Sequence, residues 1–179
     1  MIRRAAVVAV SLGLLSLGAC ASAARPDAMT VLPSTIAAAK AGDVGYQAVK
    51  IVNVSGGTDT NPLLWSEVAS GDFRLALENS LKATGYLGAT ETAPLSLTAA
   101  MLELKQPMVG LDMSVTSRVR YSVTDASGKL IFDDTIAATG TAKMGEAFVG
   151  TERLRLANEY AIRENIKAFI ERFRTHTAR

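Results

Sequence analysis

The chain has one cysteine and one histidine in 179 residues. A single thiol cannot close a disulfide within the chain, and one Cys with one His cannot supply the ligands of a zinc site. His176 would have to serve every Ser-His-Asp or Cys-His arrangement, and the end on which it stands reads as a tail too loose to hold a general base. Ser55-Gly56-Gly57 lacks the Lys-Ser/Thr ending of a phosphate loop and reads as a strand-terminating turn. Surplus charge is also missing. The formal +2 comes from Arg3 and Arg4: without them, 17 of the 19 Lys and Arg remain against 17 Asp and Glu. A balanced body offers no electrostatic case for nucleic acid or another polyanion. No internal repeat or heptad stands out.

What is present begins at the front. Arg3 and Arg4 precede an uncharged apolar stretch from Ala5 to Leu17, followed by Gly18, Ala19 and Cys20. Positive start, apolar middle and small residues are the three parts of a secretory signal. The apolar stretch is short for a bilayer span, which takes about 20 residues. Carried on to Ala24 it reaches that length, so an uncleaved anchor is one alternative, weakened by the Gly, Ala and Ser of its far half. A plain cleaved signal is another, and it leaves a lone thiol in an oxidising compartment.

The ending Leu17-Gly18-Ala19-Cys20 resembles the signal of bacterial lipoproteins. The resemblance implies that residues 1–19 are removed, that the Cys20 thiol is acylated (palmitate among the chains) and that the body hangs from a membrane. Each buried CH₂ adds about 0.8 kcal/mol, so more than one chain makes attachment lasting. Ala21 stands where an Asp would favour inner-membrane retention in many Gram-negative bacteria. By that likeness the chain belongs on the periplasmic face of the outer membrane.

The rest is long enough for one domain with its own core. Residues 20–45, rich in Ala with Pro26 and Pro33, read as a flexible tether, and residues 46–179 as the domain. Residues 46–54 are rich in β-branched side chains and read as a strand, with Trp65 over the core edge after a polar loop. Residues 72–84 predict a helix, with Ser70 or Asp72 at its start, Gly85 at its end and an apolar stripe of Phe73, Leu77 and Leu81. Residues 95–104 predict a second strand. From 111 to 125 apolar and polar residues alternate, predicting a strand with one buried face. Residues 129–140 return beside it as a hairpin after Gly128. Residues 151–174 predict a long helix capped by Thr151, with Ile162, Ile166, Phe169, Ile170 and Phe173 on its apolar side. The fold class is α+β, a mostly antiparallel four-stranded sheet with two helices on one face, in the order β-α-β-β-β-α.

Few residues offer chemistry. Asp133 and Asp134 adjoin on a strand and point to opposite faces, so they cannot share a proton or an ion. Arg153, Arg155, Arg163 and Lys167 alternate with Glu152, Glu159 and Glu164 and read as a mixed solvated face. The segment from Gly140 to Gly150 carries Met144 and Phe148 between glycines. It reads as a mobile loop lining a partner- or lipid-binding mouth, or else as two side chains folded back on the sheet edge.

Cys20, the run Phe73 to Leu81 before Gly85, the hairpin residues Tyr121 to Asp125 with Gly128, and the final helix together resemble small envelope lipoproteins. The ABC-transport auxiliary and LPS-assembly types are the nearest in pattern. That likeness implies a non-catalytic accessory of lipid or lipopolysaccharide traffic, without cofactor or metal, working through an envelope protein partner. A free sheet edge would be one route to that partner. The alternative is a carrier with an apolar cavity between sheet and helices, and a hydrolase or transferase ranks last.

Overall fold

The computed structural model describes residues 21–61 and 65–178. Cys20, the stretch before it, Leu63 and Leu64 lie outside the described residues. The order is α1 (Pro26–Met29), a 3-10 turn (Pro33–Thr35), β1 (Val49–Ser55), α2 (Ser70–Ala83), β2 (Leu95–Lys105), β3 (Met113–Thr124), β4 (Leu130–Ala142) and α3 (Gly150–Thr177). The sheet runs β1-β2-β3-β4. β1 pairs parallel with β2, which requires a crossover, and α2 supplies it. The other two pairings are antiparallel, so the α+β, mostly antiparallel expectation holds.

Alternation in β3 sets the layers. Val115, Ser117, Val119, Tyr121 and Val123 are buried, while Ser114, Arg118 and Arg120 face water. Leu111, expected on the buried face, precedes the strand and is exposed. Against the buried face lie Phe73, Leu77 and Leu81 of α2 and Ile162, Ile166, Phe169 and Phe173 of α3. Tyr121 stacks on Phe169 at 4.2 Å between centroids, and Phe132 meets Phe169 and Phe173 edge-on. These rings and aliphatic side chains pack between the layers, the place the carrier alternative needs for a ligand.

Two glycines have structural reasons. Gly85 has φ +78° just after α2, the left-handed conformation that ends a helix. Gly140 lies in β4 where α3 crosses: a Cβ there would stand 2.2 Å from the Ala161 nitrogen. It is a packing contact and not part of a mobile loop.

The tether expectation is corrected. Ala21, Ala24, Met29, Val31 and Ala39 are buried. The Val31 amide donates to Ser80 Oγ at 2.9 Å, the Ala24 amide to the Glu67 carbonyl and the Ala39 amide to the Thr84 carbonyl. Few large apolar residues are needed, because Met29 and Val31 enter a core already built by α2 and α3. Two helix starts also differ. Neither Ala69 nor Val149, the residues preceding α2 and α3, makes a side-chain cap, and Ser70 Oγ instead accepts from the Gly57 amide at 2.9 Å. His176 belongs to the last turn of α3, edge-on to Phe132, and not to a loose tail.

Candidate functional site: an apolar end beside the first described residues

At the end of the sheet where β2 runs out and α3 begins, two loops project. The β2–β3 loop exposes Met108 (81%), Val109 (85%) and Leu111 (72%), and the β4–α3 loop exposes Phe148 (90%). Met144 and Val149 stand about half exposed beside them. The Met144 amide donates to Asp112 Oδ1 at 3.0 Å, tying one loop to the other. Met144 and Phe148 therefore do not fold back on the sheet edge, and they line a projecting tip.

The tip is held from beneath. Arg153, buried in the first turn of α3, donates through Nη1 to the Ala147 carbonyl at 2.6 Å and the Phe148 carbonyl at 2.9 Å. The Lys143 amide and the Tyr160 hydroxyl both donate to Glu146, which holds that carboxyl below its usual range. A charge-assisted bond to a fixed carbonyl is strong, so the loop is braced despite Gly145.

The first described residues arrive at this same end. Ser66 Oγ donates to the Ser22 carbonyl at 2.7 Å, and Gln106 Nε2 donates to the Ser66 carbonyl at 2.8 Å. Asn158 Nδ2 meets that carbonyl too, at 2.8 Å. The Arg25 amide donates to Glu159 Oε1 at 2.9 Å. Arg155 bridges Glu159 and Glu152, and its guanidinium lowers the Glu152 carboxyl. The solvated-face reading of these residues is thus corrected: Arg153, Arg155 and Glu159 are buried. Helical periodicity alone could not reveal it, because Arg25 reaches Glu159 across the whole sequence.

Other candidates fall apart in space. Asp133 pairs with Arg120 and Ser122 on the open face, and Asp134 with Arg172 on the helix face. Glu103 pairs with Arg118, and Asp125 closes the β3–β4 turn. Arg163 lies over the Tyr160 ring, 5.0 Å from its centroid. Trp65 is partly exposed, not tucked over the core. Two shallow clefts, of 350 Å³ beside Phe132 and His176 and 540 Å³ beside Tyr86 and Arg174, lie at the far end of α3. Among the described residues, no helix is long and apolar enough to cross a membrane.

Two solved bacterial structures share the fold. A Xanthomonas campestris protein of family DUF330 aligns at TM-score 0.60 and 10% identity, over 87% of this chain and 96% of its own. A candidate lipoprotein of Caulobacter crescentus aligns at TM-score 0.50 and 14% identity, over 75% and 93%. At such identities the likeness is one of fold. No family model and no curated protein matches the sequence.

Proposed function

We propose that the chain is a bacterial lipoprotein, anchored by acyl chains on Cys20 at the periplasmic face of the outer membrane, and that it works without catalysis as an accessory holding an envelope partner. The observation that carries the reading is the convergence at one end. Ser22 is tied through Ser66 to Gln106, two residues before Met108, so an anchor on Cys20 would hold the domain near the end that carries the apolar tip. The lipobox ending Leu17 to Cys20 and the lipoprotein description of the Caulobacter structure support the anchor. For partner binding, β4 is an edge strand, and an unpaired edge accepts a strand from another chain. The resemblance of the sequence to transport-auxiliary and LPS-assembly lipoproteins supports a partner in lipid or lipopolysaccharide traffic.

Palmitate labelling in a Gram-negative host tests the anchor. The wild type incorporates label and sediments with outer membranes, while Cys20→Ser incorporates none and keeps the mass of residues 1–19. A Cys20→Ser chain that is still clipped at the same bond and stays membrane-bound without acyl mass would end the reading. For the partner, a photo-crosslinker at Ala137 on β4 is expected to capture one discrete envelope protein. Random capture, equal to that from the turn residue Ser127, would count against an edge-bound partner.

A further inference from the structure

We propose that the apolar tip is a second membrane contact, with Met108, Val109, Leu111 and Phe148 seated at the boundary between headgroups and acyl chains of the bilayer that holds the anchor. The assignment rests on acylation of Cys20.

Three observations point to lipid as the occupant. The first is slack, or its lack. One residue, Ala21, separates Cys20 from Ser22, so the two lie within about 7 Å at full extension. The Ser22 carbonyl is fixed to Ser66, and Ser66 to Gln106, which stands two residues before Met108. An acyl chain entering the bilayer from Cys20 therefore draws this end of the domain to the surface. A flexible tether would have removed the constraint, and the packing of residues 21–39 imposes it.

The second is shape. The apolar groups project from two loops, Met108, Val109 and Leu111 from one and Phe148 from the other, and each is at least 72% exposed. A fluid acyl layer accommodates separate projecting side chains, whereas a protein partner needs a complementary pocket for each. The braces from Arg153, Asp112 and Glu146 fix the tips beforehand, so little conformational entropy is lost on insertion.

The third is charge. The exposed Lys105 and Lys143 flank the tip, at the level where headgroup phosphates would lie. They balance the nearby carboxylates of Asp112 and Glu146, which accept bonds within the loops, while Glu152 pairs with Arg155, so the tip brings no surplus negative charge to the headgroups. With the tip down, the α3 C-terminus stands about 40 Å away, at 1.5 Å per residue. The two far clefts then face the periplasm.

The test uses the full acylated protein. Its native thiol is consumed by the acyl linkage, so a new cysteine is unique. Phe148→Cys and Val109→Cys are labelled with NBD and placed in vesicles of phosphatidylcholine and phosphatidylethanolamine. Thr135→Cys, exposed in mid-strand on the open face, is the control. Expected is a severalfold rise in NBD emission at 148 and 109, with quenching by shallow doxyl lipids, and neither at 135. An acylated, vesicle-bound protein whose label at 148 stays in water leaves the anchor standing and overturns the tip contact. Shielding at 148 in native envelope fragments but not in pure lipid assigns the tip to a protein and overturns it too. Absence of acyl mass on Cys20 fails the anchor, and the tip contact with it.

Discussion

Asn165 shows what one buried polar side chain does here. Its Nδ2 donates to the Ile136 carbonyl at 2.9 Å and to Ser117 Oγ at 3.1 Å, while its Oδ1 accepts from the Tyr121 hydroxyl at 2.9 Å. One amide thus joins α3 to two strands, and all its partners lie inside the apolar layer. Buried groups left unpaired cost far more than a bond between them gains. Asn165→Ala strands two or three partners, and a loss of about 2–4 kcal/mol follows. It should be read as a lower urea midpoint at unchanged slope. Asp133 makes the opposite kind of contact, on the open face. Two bonds from Arg120 and one from Ser122 hold its carboxyl at about 2, below its ordinary 3.8. A depressed folded value contributes stability above the ordinary value and loses it as pH falls through the lowered one. The contribution is therefore intact above pH 4 and fades between pH 4 and about 2. Asp133→Asn should flatten that part of a stability–pH curve while leaving the slope from Asp125, Glu146 and Glu152, which are also lowered. An unchanged acid slope would refute the assignment.

At the scale of elements, the crossing of β4 and α3 depends on the missing side chain of Gly140. A methyl group there would meet helix backbone at 2.2 Å from Ala161 N and 2.6 Å from Tyr160 C. Backbone cannot turn aside as a side chain can, so the helix would have to lift from the sheet. Gly140→Ala is expected to cost about 1–3 kcal/mol or more by overpacking. Gly145 offers the matched comparison. It lies between the same two elements, with open space around its would-be Cβ and no left-handed backbone. Gly145→Ala should be neutral, or stabilising by about 0.4–1 kcal/mol through a less free unfolded chain. Equal losses for the pair, measured by urea unfolding, would show that the close approach is not what matters at 140. The same contrast corrects the mobile-loop reading. Glycines at 140, 145 and 150 look alike in sequence, yet the first is a packing contact, and Arg153 and Glu146 brace the loop around the second.

Across the whole molecule, polarity runs from one end to the other. The tip, the start of α3 and the first described residues share one end, and the two clefts lie at the other. Part of this was legible in residue order. Period-two alternation through β3 and the stripes of α2 and α3 determined an α+β body with one buried sheet face, because local periodicity alone decides which side chains can share a surface. The lipobox ending likewise marked Cys20 on local grounds, and Met144 and Phe148 stood out as large apolar residues among glycines. Met108 and Val109, beside Gly110, carry the same signal but fall between the strands expected at 95–104 and 111–125, with Leu111 expected on the buried face of the second of these. Other features needed the tertiary structure. That residues 21–39 are docked depends on a core hollow shaped by α2 and α3, to which Met29 and Val31 add themselves. That Arg155 and Glu159 are buried depends on Arg25 arriving from 134 residues away. That β1 runs parallel to β2 depends on where α2 lays the chain down. Sequence by itself determined which surfaces are apolar; only the fold decided which of them meet, because burial is settled between segments that have no relation along the chain.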